Sequence, residues 1–437
     1  AETSNVDGDY IGRIEFNAPL DASGTDAILA GAAIWAEAED TFSSSDCSTA
    51  LVFGTNTSAA YTERMRITAA GSVRLPDGFS VGWGGVQSQI KGSNASDNLE
   101  LQTNATTRLK LDANSRINMS NNGGAANNTA LGYLAGDSLA GDSLYNTMVG
   151  HNAGQDIGVG GYYNNCFGYN AGMNITSGQR NTALGPGTLI NLTTGYHNIA
   201  IGQNTMAAMA HDEGSNIAIG QDAMGSAKQD GTASSSDREV KENIAIGKHA
   251  LASGTLAGAD HFEGNIAIGH EALDGTGTND HIGTIAIGHS ALGSCTTGAG
   301  NVAVGYQAGL LETTGAQNTF IGYGAFKAGD AGEAGNTVIG YNAGSAINDA
   351  TSDNNTIVGN EAAIGGVAAM KNVVVIGSGA MIGSAGNAQD GTVAVGRSAL
   401  AALTSGAGNT AIGYQAGLLI TTGASNTIIG NGAADAT

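Results

Sequence analysis

Asn198-Ile-Ala-Ile-Gly202 recurs as Asn216-Ile-Ala-Ile-Gly220 and again as Asn301-Val-Ala-Val-Gly305. The same sentence, a small polar residue, any residue, two apolar residues and Gly, closes at seventeen glycines from Gly132 to Gly430. Most intervals are 17 to 19 residues. A short fixed period means stacked, near-identical units rather than one globular core. Within a unit, alternation puts Ile199 and Ile201 on one face and Asn198 and Ala200 on the other, the signature of a short strand. Glycine ends it because it accepts the left-handed backbone of a sharp corner. Three residues later comes a small residue, as at Ala223, Ala250, Ala272 and Ala416. This predicts a second apolar strand that returns across the coil. Thr-Gly pairs such as Thr194-Gly195 and Thr422-Gly423 then supply the closing turn.

The expected fold is all-β: a repetitive parallel β-roll (β-solenoid) of about 17 coils over residues 121–437. At ~4.8 Å per coil it would rise roughly 80 Å. So small a coil encloses only a thin core of Ala, Ile and Val. Its outer Ala-rich face is too apolar to be left wet, which predicts lateral packing of identical chains. Two long intervals, Gly220 to Gly247 and Gly247 to Gly269, place insertions at 221–242 and 251–263. Solenoid insertions emerge as loops, and these serve either as tolerated surface loops or as receptor contacts.

The formal charge of the chain is −22. Residues 1–120 carry 8 basic and 15 acidic groups, and the remainder 8 and 23. Neither part has a basic patch, so no nucleic-acid partner is expected. Seventy glycines with three prolines do not fit collagen. Cys47, Cys166 and Cys295 are too few and too far apart for a metal or disulfide framework. Cys166 falls in an apolar slot of the repeat, which predicts a buried structural thiol. The sequence shows neither a signal peptide nor an apolar run long enough for a bilayer, and Ala1 in place of Met suggests a processed chain or a fragment.

Residues 1–120 have another rhythm. Arg64-Met-Arg-Ile67, a Gly71 turn and Ser72-Val-Arg-Leu75 predict a hairpin, and Arg108-Leu-Lys-Leu111 with Arg116-Ile-Asn-Met119 predicts another. Met65, Ile67, Val73, Leu75, Leu109, Leu111, Ile117 and Met119 would face a shared axis. Tyr10–Phe16, Ala27–Trp35 and Ala50–Phe53 read as further strands, and Asn121–Asn128 as a junction.

The repeats resemble the β-roll heads of trimeric autotransporter adhesins, whose repeat reads Asn-Ser-Val-Ala-Ile-Gly. Asn409-Thr-Ala-Ile-Gly-Tyr-Gln-Ala-Gly417 is similar to coils of phage tail-fibre proteins. The likeness spans about 300 residues, and the alternating hairpins before them look like fibre shaft and collar segments. It implies a homotrimer used for attachment. The coils here are longer than those of the adhesin head, and no coiled-coil stalk or outer-membrane anchor is evident. Ser236-Asp-Arg-Glu-Val-Lys-Glu-Asn243 also resembles the opening of a self-cleaving fibre chaperone, cut between Ser and Asp. A further coil follows it at once and the chaperone body is missing, so no catalysis is assigned to it.

The position after the repeat glycine holds Tyr133, His151, Tyr169, His270, His289, Tyr306, Tyr323, Tyr341 and Tyr414. Stacked coils turn these into a ladder on one edge. It reads either as outward rungs that stack and hydrogen-bond or as a carbohydrate-contacting stripe. The candidate receptor-binding residues are Tyr306, Tyr323, Tyr341, Tyr414, His270 and His289. His270 and His289 lie on adjacent coils, but two imidazoles without a neighbouring Cys or fixed carboxylate do not make a metal site. No metal or other cofactor is expected. The Asn column is expected to form amide ladders.

No nucleophile elbow, phosphate loop, dinucleotide fingerprint or calcium-binding nonapeptide occurs. Carboxylates such as Asp212 and Glu213 sit in loops without a partnered site. The chain is therefore expected to be no enzyme but a structural fibre or adhesin that attaches to a host cell surface. A bacteriophage tail fibre is the first choice. Its expected place is extracellular, on the virion, and its partners are itself, other tail proteins and a host surface glycan or outer-membrane receptor. The alternatives are a bacterial surface trimeric adhesin or filament subunit and, third, a glycan-cleaving tailspike. An ice-binding surface is a minor possibility, because it would want a regular Thr ladder.

Overall fold

The computed structural model describes residues 6–17, 30–43, 45–56, 61–76, 80–82, 88–93, 98–103, 106–111, 117–118, 127–139, 141–211, 213–229, 240–252, 255–256, 261–277, 281–329, 332–365, 369–383 and 389–435. The described residues are all-β, with no helix. The chain divides into two units, Ala1–Asn121 and Asn122–Thr437.

The first unit holds two antiparallel sheets. One runs β1 (Tyr10–Asn17), β2 (Ala30–Ala38), β3 (Thr49–Asn56), β4 (Tyr61–Ile67) and β5 (Val73–Arg74) in order. Its small core is Ala33, Trp35, Ala50 and Val52, with Tyr61 packed against them. The hairpin expected around Gly71 pairs Arg66 with Arg74 and Ile67 with Val73. Val73 and Leu75 are exposed. The other sheet is β6 (Ser80–Gly82), β7 (Ser88–Ser93), β8 (Asn98–Thr103), β9 (Thr106–Leu111) and β10 (Ile117–Asn118). Leu111 pairs with Ile117 there. Met119 and most of the Asn121–Asn128 junction lie outside the described residues.

The second unit is a parallel β-solenoid. Three-residue strands from Thr129–Leu131 to Thr427–Ile429 form a single sheet of seventeen strands. Each strand lies in register on the next: Ile199 pairs with Ile217, Ala200 with Ala218 and Ile201 with Ile219. The longest interval does not disturb this, since Ile217 still pairs with Ile244.

The faces are the reverse of the expected ones. Ala200 and Asn198 are completely buried, while Ile199 is 39% exposed and Ile412 40%. The large core side chains come from the segment after the glycine, as Leu189, Leu192, Met206, Met209, Met224 and Leu251. They leave room for only a small residue at the inward position of most strands. Where that segment carries glycine, the strand residue grows: a Cβ on Gly309 would stand 2.7 Å from the Phe320 ring, and one on Gly172 2.6 Å from Cys166 Sγ. Cys166 is fully buried in this column, between Met148 and Ala183.

The returning second strand does not form. After Gly202 the chain passes through left-handed residues at Asn204 and Met206, both at φ 52°. The segment is a run of turns rather than an extended strand. Hydrogen bonds still tie the runs together from coil to coil, as Asn204 N to Pro186 O at 3.0 Å and Met206 N to Ala223 O at 3.0 Å.

The insertions are partly built into sheets. Lys228–Gln229 pairs in parallel with Thr255–Leu256, and Val240–Lys241 with Phe262–Glu263, which pairs in turn with His281–Ile282. Asp212 and Ser236–Glu239 lie outside the described residues.

Candidate binding surface

Rings in successive coils stand about one strand spacing apart and therefore stack. His270 and His289 lie 5.0 Å apart between ring centres, His289 and Tyr306 5.1 Å, Tyr306 and Tyr323 5.0 Å, and Tyr323 and Tyr341 5.4 Å. Five of the six expected receptor-binding residues thus form one continuous stack. Tyr414 stands apart, because Asn360, Ser378 and Arg397 fill the intervening rungs. The Arg397 guanidinium sits 5.9 Å from the Tyr414 ring centre. Tyr133, His151 and Tyr169 form a separate short stack.

The stacking changes what the ladder can do. Tyr306, Tyr323 and Tyr341 are 41%, 50% and 49% exposed, but the ring faces of Tyr323 lie against its two neighbours. Ring edges and hydroxyls remain outward. Such an edge offers hydrogen bonds to a ligand rather than a flat platform for a sugar ring.

A second column was not singled out from the sequence. Tyr145 and Tyr163 stack at 4.9 Å and 9°, and Arg180 lies 5.8 Å from the Tyr163 ring centre. The signal was present: each residue directly precedes a ladder asparagine, Asn146, Asn164 or Asn181.

The asparagines face inward and support the coils from within. Asn216 Nδ2 donates to Asn198 Oδ1 at 3.1 Å and to Val240 O at 2.8 Å. Its own Oδ1 accepts from Asn243 N at 3.1 Å and Asn243 Nδ2 at 3.0 Å. The ladder also runs through Asn146 and Asn164. Both Asn164 and Asn181 also donate to Gly carbonyls of the closing turns, Gly178 O and Gly195 O, each at 2.8 Å.

Acidic groups gather beside the histidines. His249 Nε2 is 3.6 Å from Asp222 Oδ2, and His249 stacks on His270 at 6.3 Å. Asn204, Asp222, Ser226, His249 and Asp274 line an open groove of about 440 Å³. Burial pushes the Asp274 carboxyl above its ordinary value. Among the described residues, His270, Glu271 and His289 bring a ligand atom each within 4.8 Å of one another. The buried thiols are inert in contrast: burial pushes Cys166 and Cys295 up to about 12. Among the described residues no helix is long and apolar enough to cross a membrane. No protein-family model, curated protein or solved structure matches this chain.

Proposed function

We propose that this chain is a structural fibre protein that attaches to a host cell surface as a homotrimer, in the manner of a bacteriophage tail fibre. The observation that carries the reading is the outer face of the solenoid sheet. The residue before the repeat glycine is apolar in all seventeen strands, from Leu131 through Phe167, Ile219 and Ile321 to Ile429. These side chains point away from the core and stay accessible, Leu184 at 46% and Ile376 at 39%. An unbroken apolar column on an exposed face is the usual mark of a surface that another protein covers. A rod of identical repeats covers it most economically with copies of itself, and closed symmetry prevents open-ended growth. The number three comes from the resemblance to trimeric fibre heads.

In that assembly the Tyr and His edges remain outward, available to a surface glycan or outer-membrane receptor. The acidic surface keeps fibres apart in solution. Light scattering on the intact chain at low and high ionic strength tests the assembly, with three chain masses expected at both. Binding of the labelled protein to host cells, competed by their purified surface glycan, tests attachment. A stable monomer, or cell binding to no bacterial surface under any condition, overturns the proposal.

A further inference from the structure

The residues around His270 carry more chemistry than an aromatic rung requires. His270 Nδ1 is shut off from solvent and makes no hydrogen bond. It faces Glu271 Oε2 at 3.6 Å, longer than a hydrogen bond. Ser290 Oγ, one coil on, stands 3.5 Å from the same carboxylate oxygen and 2.9 Å from His289 Nδ1. With Ser290 donating to Glu271, His289 donates through Nδ1 and keeps the Nε2 lone pair free. Two imidazoles and an oriented carboxylate from two successive coils therefore converge. Glu271 is the fixed carboxylate that the sequence argument lacked.

We propose that His270, Glu271 and His289 bind a divalent transition metal of the zinc class, which staples one coil of the solenoid to the next. Imidazole nitrogen with one carboxylate suits zinc, nickel, cobalt or copper, whereas magnesium and calcium want oxygen throughout. Bonds of about 2.0–2.2 Å place the ligand atoms of a tetrahedral site roughly 3.3–3.6 Å apart. The ligand atoms lie within 4.8 Å of one another and have to draw together by up to about 1.5 Å to hold one ion. The side chains of His270 and Glu271 are about two-fifths exposed, which leaves room for a small adjustment. The rings must tilt out of their 24° stack so that one ion lies in both planes. Asp222 and Asp274 nearby add negative charge that favours a cation. Water completes the coordination. The staple holds the coils that directly follow the two long insertions, where the regular period is interrupted. The site stands independently of the proposed attachment role.

The test uses the full chain, free of any histidine tag and stripped with a chelator. Calorimetric titration with ZnCl₂ is expected to show one ion per chain, with a rise in melting temperature that MgCl₂ and CaCl₂ do not produce. His270→Gln and His289→Gln are expected to abolish both effects. His151→Gln, which removes the imidazole from another rung of the same column, is expected to retain them. Co²⁺ added to the unsubstituted chain is expected to give the intense visible bands of a four- or five-coordinate protein site. Absence of binding by the unsubstituted chain overturns the proposal. So does undiminished binding by the His270→Gln/His289→Gln double variant. If that variant fails to fold, the Co²⁺ spectrum of the unsubstituted chain decides, and a spectrum of hydrated cobalt alone rejects the site.

Discussion

Glu312 and Glu333 stand side by side in the solenoid, each completely buried, with the charge of one acting on the other. Burial first, and then the negative charge of Glu333, push the Glu312 carboxyl up to about 7. Backbone hydrogen bonds from Gly315 and Thr314 offset this only in part, Gly315 N donating to Glu312 Oε1 at 2.6 Å. A group whose folded value lies above its unfolded value holds its proton more tightly when folded. Its stabilising contribution is complete below the ordinary 4.5 and is lost as pH rises through about 7. The solenoid should therefore lose stability across that window. Glu312→Gln should flatten the loss and leave the variant up to about 3 kcal/mol more stable above it. Denaturant unfolding of both proteins across the window checks this, and parallel curves would falsify it.

The corner glycines are required twice over. Gly202 has φ +132°, and a Cβ there would lie 2.6 Å from Gly220 O of the next coil. Gly264 has φ +66° with nothing within 4 Å of an added Cβ. Alanine at Gly264 meets only the left-handed penalty, about 1 kcal/mol. Alanine at Gly202 meets that penalty and must push a backbone carbonyl away, so its cost should exceed about 2 kcal/mol. Melting temperatures of the two variants give the comparison, and equal losses would show that the coil spacing yields freely.

The amide ladder should be strongest in its middle. Asn216→Val removes the acceptor of the buried Asn243 N, while Asn243 Nδ2 keeps Lys241 O and Phe262 O, and it takes the amide donor from Val240 O. An orphaned buried donor costs about 1–3 kcal/mol, so with the lost Val240 contact a loss of about 2–3 kcal/mol is expected. Asn426 is half-buried, and it donates to Asn409 Oδ1 through both N and Nδ2. Asn426→Val should cost about 1 kcal/mol. Equal unfolding midpoints for the two variants would remove the ladder from the account of stability.

Much of this was legible in the period. A repeated motif from Gly132 to Gly430, at intervals mostly of 17 to 19 residues, leaves no register other than coil upon coil, and Ile199, Ile217 and Ile244 align even across the longest interval. The Asn column and the buried Cys166 follow from the same phase. What the pattern left open was which face turned inward. Ile-Ala-Ile is apolar on both sides, so alternation separates Ile199 from Ala200 without saying which is inside. The choice rests on volume supplied elsewhere, by Met206 and Met209 from the turn run. The missing second strand has a similar origin: left-handed backbone at Asn204 and Met206 is not written in residue type, since methionine rarely adopts it. Glu271 and His289 meet because one coil lies on the next, a proximity that local spacing did not reveal.

The aromatic rungs separate stability from recognition. Tyr323 is stacked on both Tyr306 and Tyr341. Tyr323→Ala opens two contacts and should cost about 1–2 kcal/mol. Tyr323→Phe keeps the stack and removes the outward hydroxyl. If the ladder edge meets the receptor, Tyr323→Phe weakens binding to host cells while its melting temperature stays near that of the unsubstituted chain. Unchanged binding by both variants would leave the insertions as the contact surface.

A charge on the outer face of the sheet tests the assembly without touching the core of a coil. Ile321 and Ile376 are 37% and 39% exposed and lie in the apolar column before the repeat glycines. Lysine at either position can reach water in an isolated chain, so the fold of a single coil should survive. In a laterally packed assembly the same ammonium would be buried against apolar side chains of another copy without a partner. That cost is several kcal/mol per site, and symmetry repeats it in every copy. Ile321→Lys/Ile376→Lys should therefore lower the mass measured by light scattering to that of one chain while the circular dichroism spectrum keeps its β form. Tyr306→Ala, on the turn edge, should leave the mass unchanged. If the lysine variant retains the full mass, the apolar column is not where the copies meet.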